Sequence, residues 1–207
     1  MCSLVSVILL LGSYRSFAQQ IAGEFVLTGN HEMVAAFKFT PDNNFEFYFA
    51  YGAVDRMAKG SYTINQGKLL LKGEKIPARD FDIRQHSVQG TGTTIQVSDE
   101  NPALIRGIVC LFIKGKEQEQ VYTDEAGTAH STIINCDTIF VLHTLYPDVL
   151  TTVKAGGDSK DNYFKLTLNP SLASVSFTDF ALTIEGDRLI GSLPYLFESD
   201  RSVFVKR

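Results

Sequence analysis

The 207-residue chain contains no tryptophan, three cysteines and four histidines. The missing tryptophan excludes nothing, because 15 phenylalanines and 8 tyrosines supply large rings. Positive charge is thin: 19 lysines and arginines face 23 aspartates and glutamates, for a formal charge of −4. The basic residues are scattered and form no stripe to neutralise phosphates, so nucleic acid is not an expected partner. No apolar run approaches the roughly 20 residues that a membrane-spanning helix needs. No three-turn amphipathic pattern occurs either, which leaves strands as the expected secondary structure. Gly-x-Ser-x-Gly, a P-loop, His-Glu-x-x-His and paired Cys-x-x-Cys are all lacking. Each absence removes one common chemistry. The expectation is a protein that is not an enzyme and holds no cofactor.

What is present is ordinary globular composition, 44% apolar and 20% charged. The length suits one large β domain or two small ones. Residues 4–11 (LVSVILLL) form a short apolar run, and Ser16-Phe17-Ala18 puts small residues at the two positions a signal peptidase reads. The expected result is cleavage near Ala18 and a periplasmic or secreted mature chain; an uncleaved anchor or a frayed segment is the alternative. No Lys or Arg precedes the run, since Arg15 follows it. Export would remove Cys2 and leave Cys110 and Cys136. In an oxidising compartment these are a candidate disulfide, whose loop closure would contribute about 3 kcal/mol. Two buried thiols are the other reading.

The chain is organised around residues 33–64. Its first strand pattern puts Ala35, Phe37 and Phe39 on one face, because strand side chains alternate. Thr40-Pro41-Asp42-Asn43-Asn44 is a turn in which proline pre-sets φ and asparagine tolerates the left-handed conformation. The return strand places Phe45, Phe47, Phe49 and Tyr51 on one face, and Gly52 ends it. A third strand alternates Ala58, Gly60, Tyr62 and Ile64; Asn65-Gln66-Gly67 turns the chain into KLLLK. Large rings facing Ala58 and Gly60 imply a curved sheet of the small-barrel kind. Two readings of the aromatic ladder stand side by side. The rings Phe37, Phe45, Phe47, Phe49, Tyr51 and Tyr62 fill a core, or they line a cavity for a small apolar or amphipathic ligand.

Further along, residues 81–84 and 94–97 are short strands, and Asp99-Glu100-Asn101-Pro102 is the candidate boundary between units. Residues 104–114 (LIRGIVCLFIK) are almost continuously apolar and should be covered on both faces. Strand patterns recur to the C-terminus, with a final hairpin turning at Glu185-Gly186-Asp187. The meander over residues 33–72 needs more strands to protect its edges. The C-terminal strands would supply them, which would make the middle module an insertion.

Few polar residues are arranged for chemistry. Asp55-Arg56 sits at the expected barrel rim, where Arg56 either pairs with a carboxylate or holds an anionic head group over the rings. His130, Cys136, Asp137 and His143 match no common metal spacing. Asp158, Asp161 and Asn162 fail the EF-hand spacing. Asp80 and Asp82 share a strand face and read as solvated. No catalytic residue and no metal ligand is assigned.

Two resemblances follow. The segment FKFTPDNNFEFYFAYGAVDRMAKGSYTINQGKLLLKG resembles the opening meander of secreted lipocalin-like (calycin-type) bacterial proteins. It is also similar to a family of exported Gram-negative proteins with a Tyr-Gly-Ala-Leu/Val-Asp-Arg signature, here Tyr51 to Arg56. Residues 104–142, with Thr123-Asp124-Glu125-Ala126-Gly127-Thr128-Ala129 at their centre, resemble transthyretin-like (carboxypeptidase-regulatory-like) sandwich modules. Those modules imply non-catalytic spacers or adhesion units. The expected fold is all-β: a lipocalin-like meander or half-barrel plus a β-sandwich module. The expected parts are a signal peptide (1–18), a lipocalin-like sheet (20–98), a transthyretin-like module (104–170) and closing strands (179–207). Expected function is an exported binding module for a small apolar or amphipathic ligand. The alternative is a structural or interaction protein of the bacterial envelope, with another envelope protein as partner.

Overall fold

The computed structural model describes residues 21–77, 79–155, 159–193 and 201–207. The expected leader, with Cys2, lies outside them. The first strands are β1 (Gly23–Leu27), β2 (Met33–Phe39), β3 (Asn44–Tyr51), β4 (Val54–Asn65) and β5 (Lys68–Gly73). Next come β6 (Phe81–Ser87), β7 (Thr93–Ser98), β8 (Val109–Lys114), β9 (Glu117–Tyr122) and β10 (Thr128–Ser131). They are followed by β11 (Thr138–His143), β12 (Tyr146–Ala155) and β13 (Tyr163–Leu168). The chain ends in β14 (Phe177–Glu185), β15 (Arg188–Gly191) and β16 (Ser202–Lys206). One 3₁₀ turn (Pro102–Leu104) is the only helical element among the described residues. The protein is all-β.

Strands β1–β5 and β14–β16 close into an eight-stranded barrel of order β1-β16-β15-β14-β5-β4-β3-β2. Closure leaves the barrel no free edge. Residues 74–176 intervene between β5 and β14 and build two four-stranded sheets, β10-β7-β13-β6 and β12-β11-β8-β9. The architecture is consistent with the expected lipocalin-like sheet plus sandwich, with the sandwich inserted in one barrel connection. The boundary expected at residues 99–102 falls inside the insert, because β6 and β7 pair with β13 and β10 rather than with barrel strands. The polar run there starts the 3₁₀ turn: Asn101 Oδ1 accepts from Ala103 N–H at 3.0 Å.

Turn chemistry fixes the barrel meander. Asn43 (φ 63°) closes the β2–β3 turn, and Gln66 and Gly67 (φ 48° and 75°) close β4–β5. Positive φ at both central positions matches the twist of a two-residue hairpin. Register sets Phe45 opposite Gly60 and Phe47 opposite Ala58. Gly60 has a second reason to lack a Cβ, since one built there would lie 2.1 Å from Lys72 O. The Phe45 ring tip instead lies over Gly73, 3.2 Å from where that residue's Cβ would be. Paired glycines therefore let β4 and β5 approach closely and leave room for the ring.

The two units have separate cores, and Val54 packs against both. In the insert, the Asp124–Gly127 turn carries the chain from one sheet to the other. Asp124 Oδ1 accepts from Ala126 and Thr128 N–H at 2.9 and 2.8 Å. Strand β8 buries Cys110 and Phe112 but leaves Val109, Leu111 and Ile113 half-buried. Full cover on both faces, expected from its composition, is not what this strand has. It is an interior strand of its sheet, and its alternating burial shows one core face only.

Where the chain returns from the insert, it runs beside β4 past the end of β5. Met57 N–H donates to Ala173 O at 2.9 Å, and Val175 N–H donates to Met57 O at 2.8 Å. The longer strand β4 thus has its edge covered by the insert's own exit segment.

Candidate functional site

Alternation on β2, β3 and β4 aims Phe37, Phe45, Phe47, Phe49, Arg56 and Tyr62 into the barrel, and all six are buried. Tyr51 has the same parity but lies at the end of β3 and is 47% exposed. The structure therefore does not bring it to the interior group. The rings touch one another. Phe37 lies 4.6 Å from Phe47 and 5.0 Å from Phe204 between centroids, and Phe177 lies 5.2 Å from Phe47 and 5.8 Å from Phe45. Such edge and tilted contacts contribute beyond area burial, about 0.5–1.5 kcal/mol each. Tyr62 Oη lies 2.6 Å from Ile21 O and 3.0 Å from Thr40 O, so one proton serves two carbonyls at the barrel end opposite the insert.

Phe177 and Phe204 complete this group. Neither was singled out from the sequence, although Phe204 falls at the centre of the short last strand. Phe177 has no such signal, because a register shift between Phe177 and Phe180 breaks the alternation set by Phe180, Leu182 and Ile184. The same irregularity adjoins a groove of ≈750 Å³ on the barrel wall. Leu70, Leu71, Tyr62 and Phe180 give it apolar lining, and Ser61, Thr63, Lys72, Glu74 and Thr178 give it polar lining.

At the insert end of the barrel the polar residues converge. Arg56, 1% exposed, pairs with Asp148 on β12, and its guanidinium carbon sits 5.3 Å from the Tyr146 ring centroid. Beside it, Asp55 Oδ1 accepts from Tyr48 Oη at 3.2 Å. Lys75, just past β5, pairs with Asp80, just before β6, and also donates to Leu172 O at 3.2 Å. Asp80 N–H donates to Thr151 Oγ1 at 3.3 Å. Asp80 is fully buried, contrary to the solvated carboxylate expected beside Asp82. It precedes the strand instead of sharing its outer face. Burial pushes the Asp80 carboxyl above its usual range, and Lys75 opposes that rise. Among the described residues, Arg56 Nε and Asp80 Oδ2 have no hydrogen-bond partner.

His143 borders the same cluster. Its Nε2 lies 2.9 Å from Leu104 O, and Leu145 N–H points to Nδ1 at 3.2 Å. These partners assign the neutral tautomer with the proton on Nε2. Burial holds its pKa below the ordinary histidine value.

The other polar candidates are dispersed. His130 Nδ1 meets Thr94 Oγ1 at 2.9 Å, Cys136 Sγ lies 3.4 Å from Thr93 Oγ1, and Asp137 accepts from Gly115 N–H at 2.8 Å. Asp161 binds His86 and Ser159, at 2.6 and 2.7 Å, and Asn162 bonds Gly92 O at 2.8 Å; Asp158 lies outside the described residues. No set of three or more His, Cys, Asp or Glu that could hold a metal occurs among the described residues. Cys110 and Cys136 are both buried free thiols, so the candidate disulfide is not formed. Burial pushes the Cys110 thiol up to about 12.

Sequence reading singled out Arg56 and the rings but missed Lys75, Tyr146 and Asp148. Those three lie in unremarkable loop and strand-end sequence, and only the fold brings them together. Comparison with family models, with curated proteins and with solved structures gives no match for this chain.

Proposed function

We propose that the chain is a non-enzymatic structural or interaction protein, in which a filled barrel serves as the platform for a displayed β-sandwich. The observation that carries this reading is how the interior is occupied. Phe37, Phe39, Phe45, Phe47, Phe177 and Phe204 pack on one another, and Arg56 is committed to Asp148 of the insert. An arginine already paired in this way is not free to hold a ligand head group. The leader-like residues 4–18 support a periplasmic or secreted location in a bacterial envelope, as does the resemblance to exported Gram-negative proteins.

A second reading rests on the wall groove. At ≈750 Å³ it falls within the size range of small-molecule pockets. Its mixed lining suits a small amphipathic ligand, held outside the barrel rather than within it.

Native mass spectrometry of the gently purified full chain separates the two readings, with a thermal-shift screen against fatty acids, aromatics and glycans beside it. The structural reading expects the bare polypeptide mass and no shift. A retained stoichiometric mass, lost on Phe180→Asp, would establish the groove reading in its place.

A further inference from the structure

Among the described residues, backbone bonds and the Arg56–Asp148 ion pair cross the junction between barrel and insert, and a second ion pair lies in the first residues of the insert. The returning segment is tied to β4 through the Met57 bonds to Ala173 and Val175. Arg56 of β4 reaches Asp148 of β12, and Lys75 reaches both Asp80 and Leu172 O. One histidine lies at the base of this network. His143 is 1% exposed, with its ring centroid 5.1 Å from Tyr146 and 6.5 Å from Phe81. Tyr146 in turn carries the Arg56 guanidinium.

We propose that His143 is a proton-sensitive pin: when its imidazole takes up a proton, the insert loosens from the barrel. Both ring nitrogens are occupied in a way that requires the neutral form. A proton added at Nδ1 would point at the Leu145 N–H, placing donor against donor. The new charge would also be a third cation beside Lys75 and Arg56. Asp80 before β6 and Asp148 on β12 are already taken by those two residues. No carboxylate among the described residues forms an ion pair with His143 itself. Water is then the only solvent for the charge, and opening the junction is how water arrives.

The sign follows from linkage. A histidine held neutral by burial contributes stability that is present above its unfolded value and is lost as pH falls below it. Asp80 acts with the opposite sign. Its folded pKa is raised, so its contribution grows on acidification and cannot be the source of an acid-induced opening. His86, exposed on β6 and paired with Asp161, serves as a control.

The test is amide hydrogen exchange on the full chain between pH 7.5 and 5.5, corrected for intrinsic exchange. The Met57 and Val175 amides report the junction, and Phe37 and Phe47 report the barrel wall. Junction protection should fall by up to about tenfold per pH unit below pH ~6.5, the limit for one linked proton, while wall protection holds. His143→Gln, which keeps a donor and an acceptor without titrating, should abolish that dependence, and His86→Gln should leave it intact. Identical pH dependence in His143→Gln and the natural chain would overturn the proposal, as would a flat profile in the natural chain. If His143→Gln does not fold, ¹⁵N-histidine spectra of the natural chain decide. A His143 ring that titrates like a free histidine while Met57 and Val175 stay protected would overturn it; a ring that takes up its proton only as that protection is lost would support it.

Discussion

Arg56 on the inward face of β4 and Asp148 on β12 are 92 residues apart and form one ion pair across the boundary of barrel and insert. The arginine side chain is 2% exposed and the aspartate side chain 18%. Removing either partner strands the other with little access to water, which costs about 3–5 kcal/mol for a well-buried pair. Replacing both with apolar residues of similar size is often close to neutral. Arg56→Met and Asp148→Leu should each lower stability by about 2–4 kcal/mol, and the double variant should recover most of the loss. Denaturant unfolding of the four chains checks this; additive losses would show that the pair is not coupled.

Phe177 enters the barrel from the C-terminal side of the insert, touching Phe37, Phe45, Phe47 and Phe180. Phe177→Ala should cost about 3–5 kcal/mol, as large-to-small changes in closed cores do. A loss below about 1 kcal/mol would mean that the site is loosely packed or already solvated. Chemical denaturation followed by tyrosine fluorescence measures it, since no tryptophan competes.

Gly60 sits where β4 passes over the Lys72 carbonyl, and an added Cβ would meet that oxygen at 2.1 Å. Backbone cannot retreat as a side chain can, so Gly60→Ala should destabilise by at least about 1–3 kcal/mol. Gly67→Ala is strained for a different reason, its φ of 75°, and has open space around it. Comparing the midpoints of the two variants tests whether close approach at Gly60 outweighs strain at Gly67, and a smaller loss at Gly60 would contradict the packing account.

Much of the barrel was legible because its signals are local. Alternating rings, Asn43 and Gln66-Gly67 dictate strand faces and turns without reference to distant residues. The boundary at residues 99–102 misled because a polar, proline-ended run marks a chain reversal, and a reversal within a sandwich has the same composition as a linker. Phe177 escaped notice because a bulge shifts parity. Lys75 and Asp148 escaped, and Asp80 read as solvated, because a buried ion pair has no period: lysine and aspartate read as solvated until the fold removes the water.

The buried thiols give a chemical check. With its pKa pushed to about 12 by burial, Cys110 is almost wholly protonated at pH 8, and the thiolate is the reactive form. Native chain treated with iodoacetamide should leave Cys110 unmodified, whereas unfolded, unreduced chain should be alkylated at both Cys110 and Cys136. Peptide mapping reads both results; a linked peptide pair in the unreduced sample would show the bridge that the structure lacks.

Strands β14–β16 complete a barrel in which rings from both ends of the chain meet. Nuclear Overhauser contacts from the Phe37 ring in the full chain test it directly. Strong contacts to Phe204 and Phe47, at centroid separations of 5.0 and 4.6 Å, are the result the account predicts. Absence of contact between Phe37 and Phe204, or contacts from Phe37 to a co-purified small molecule, would contradict it.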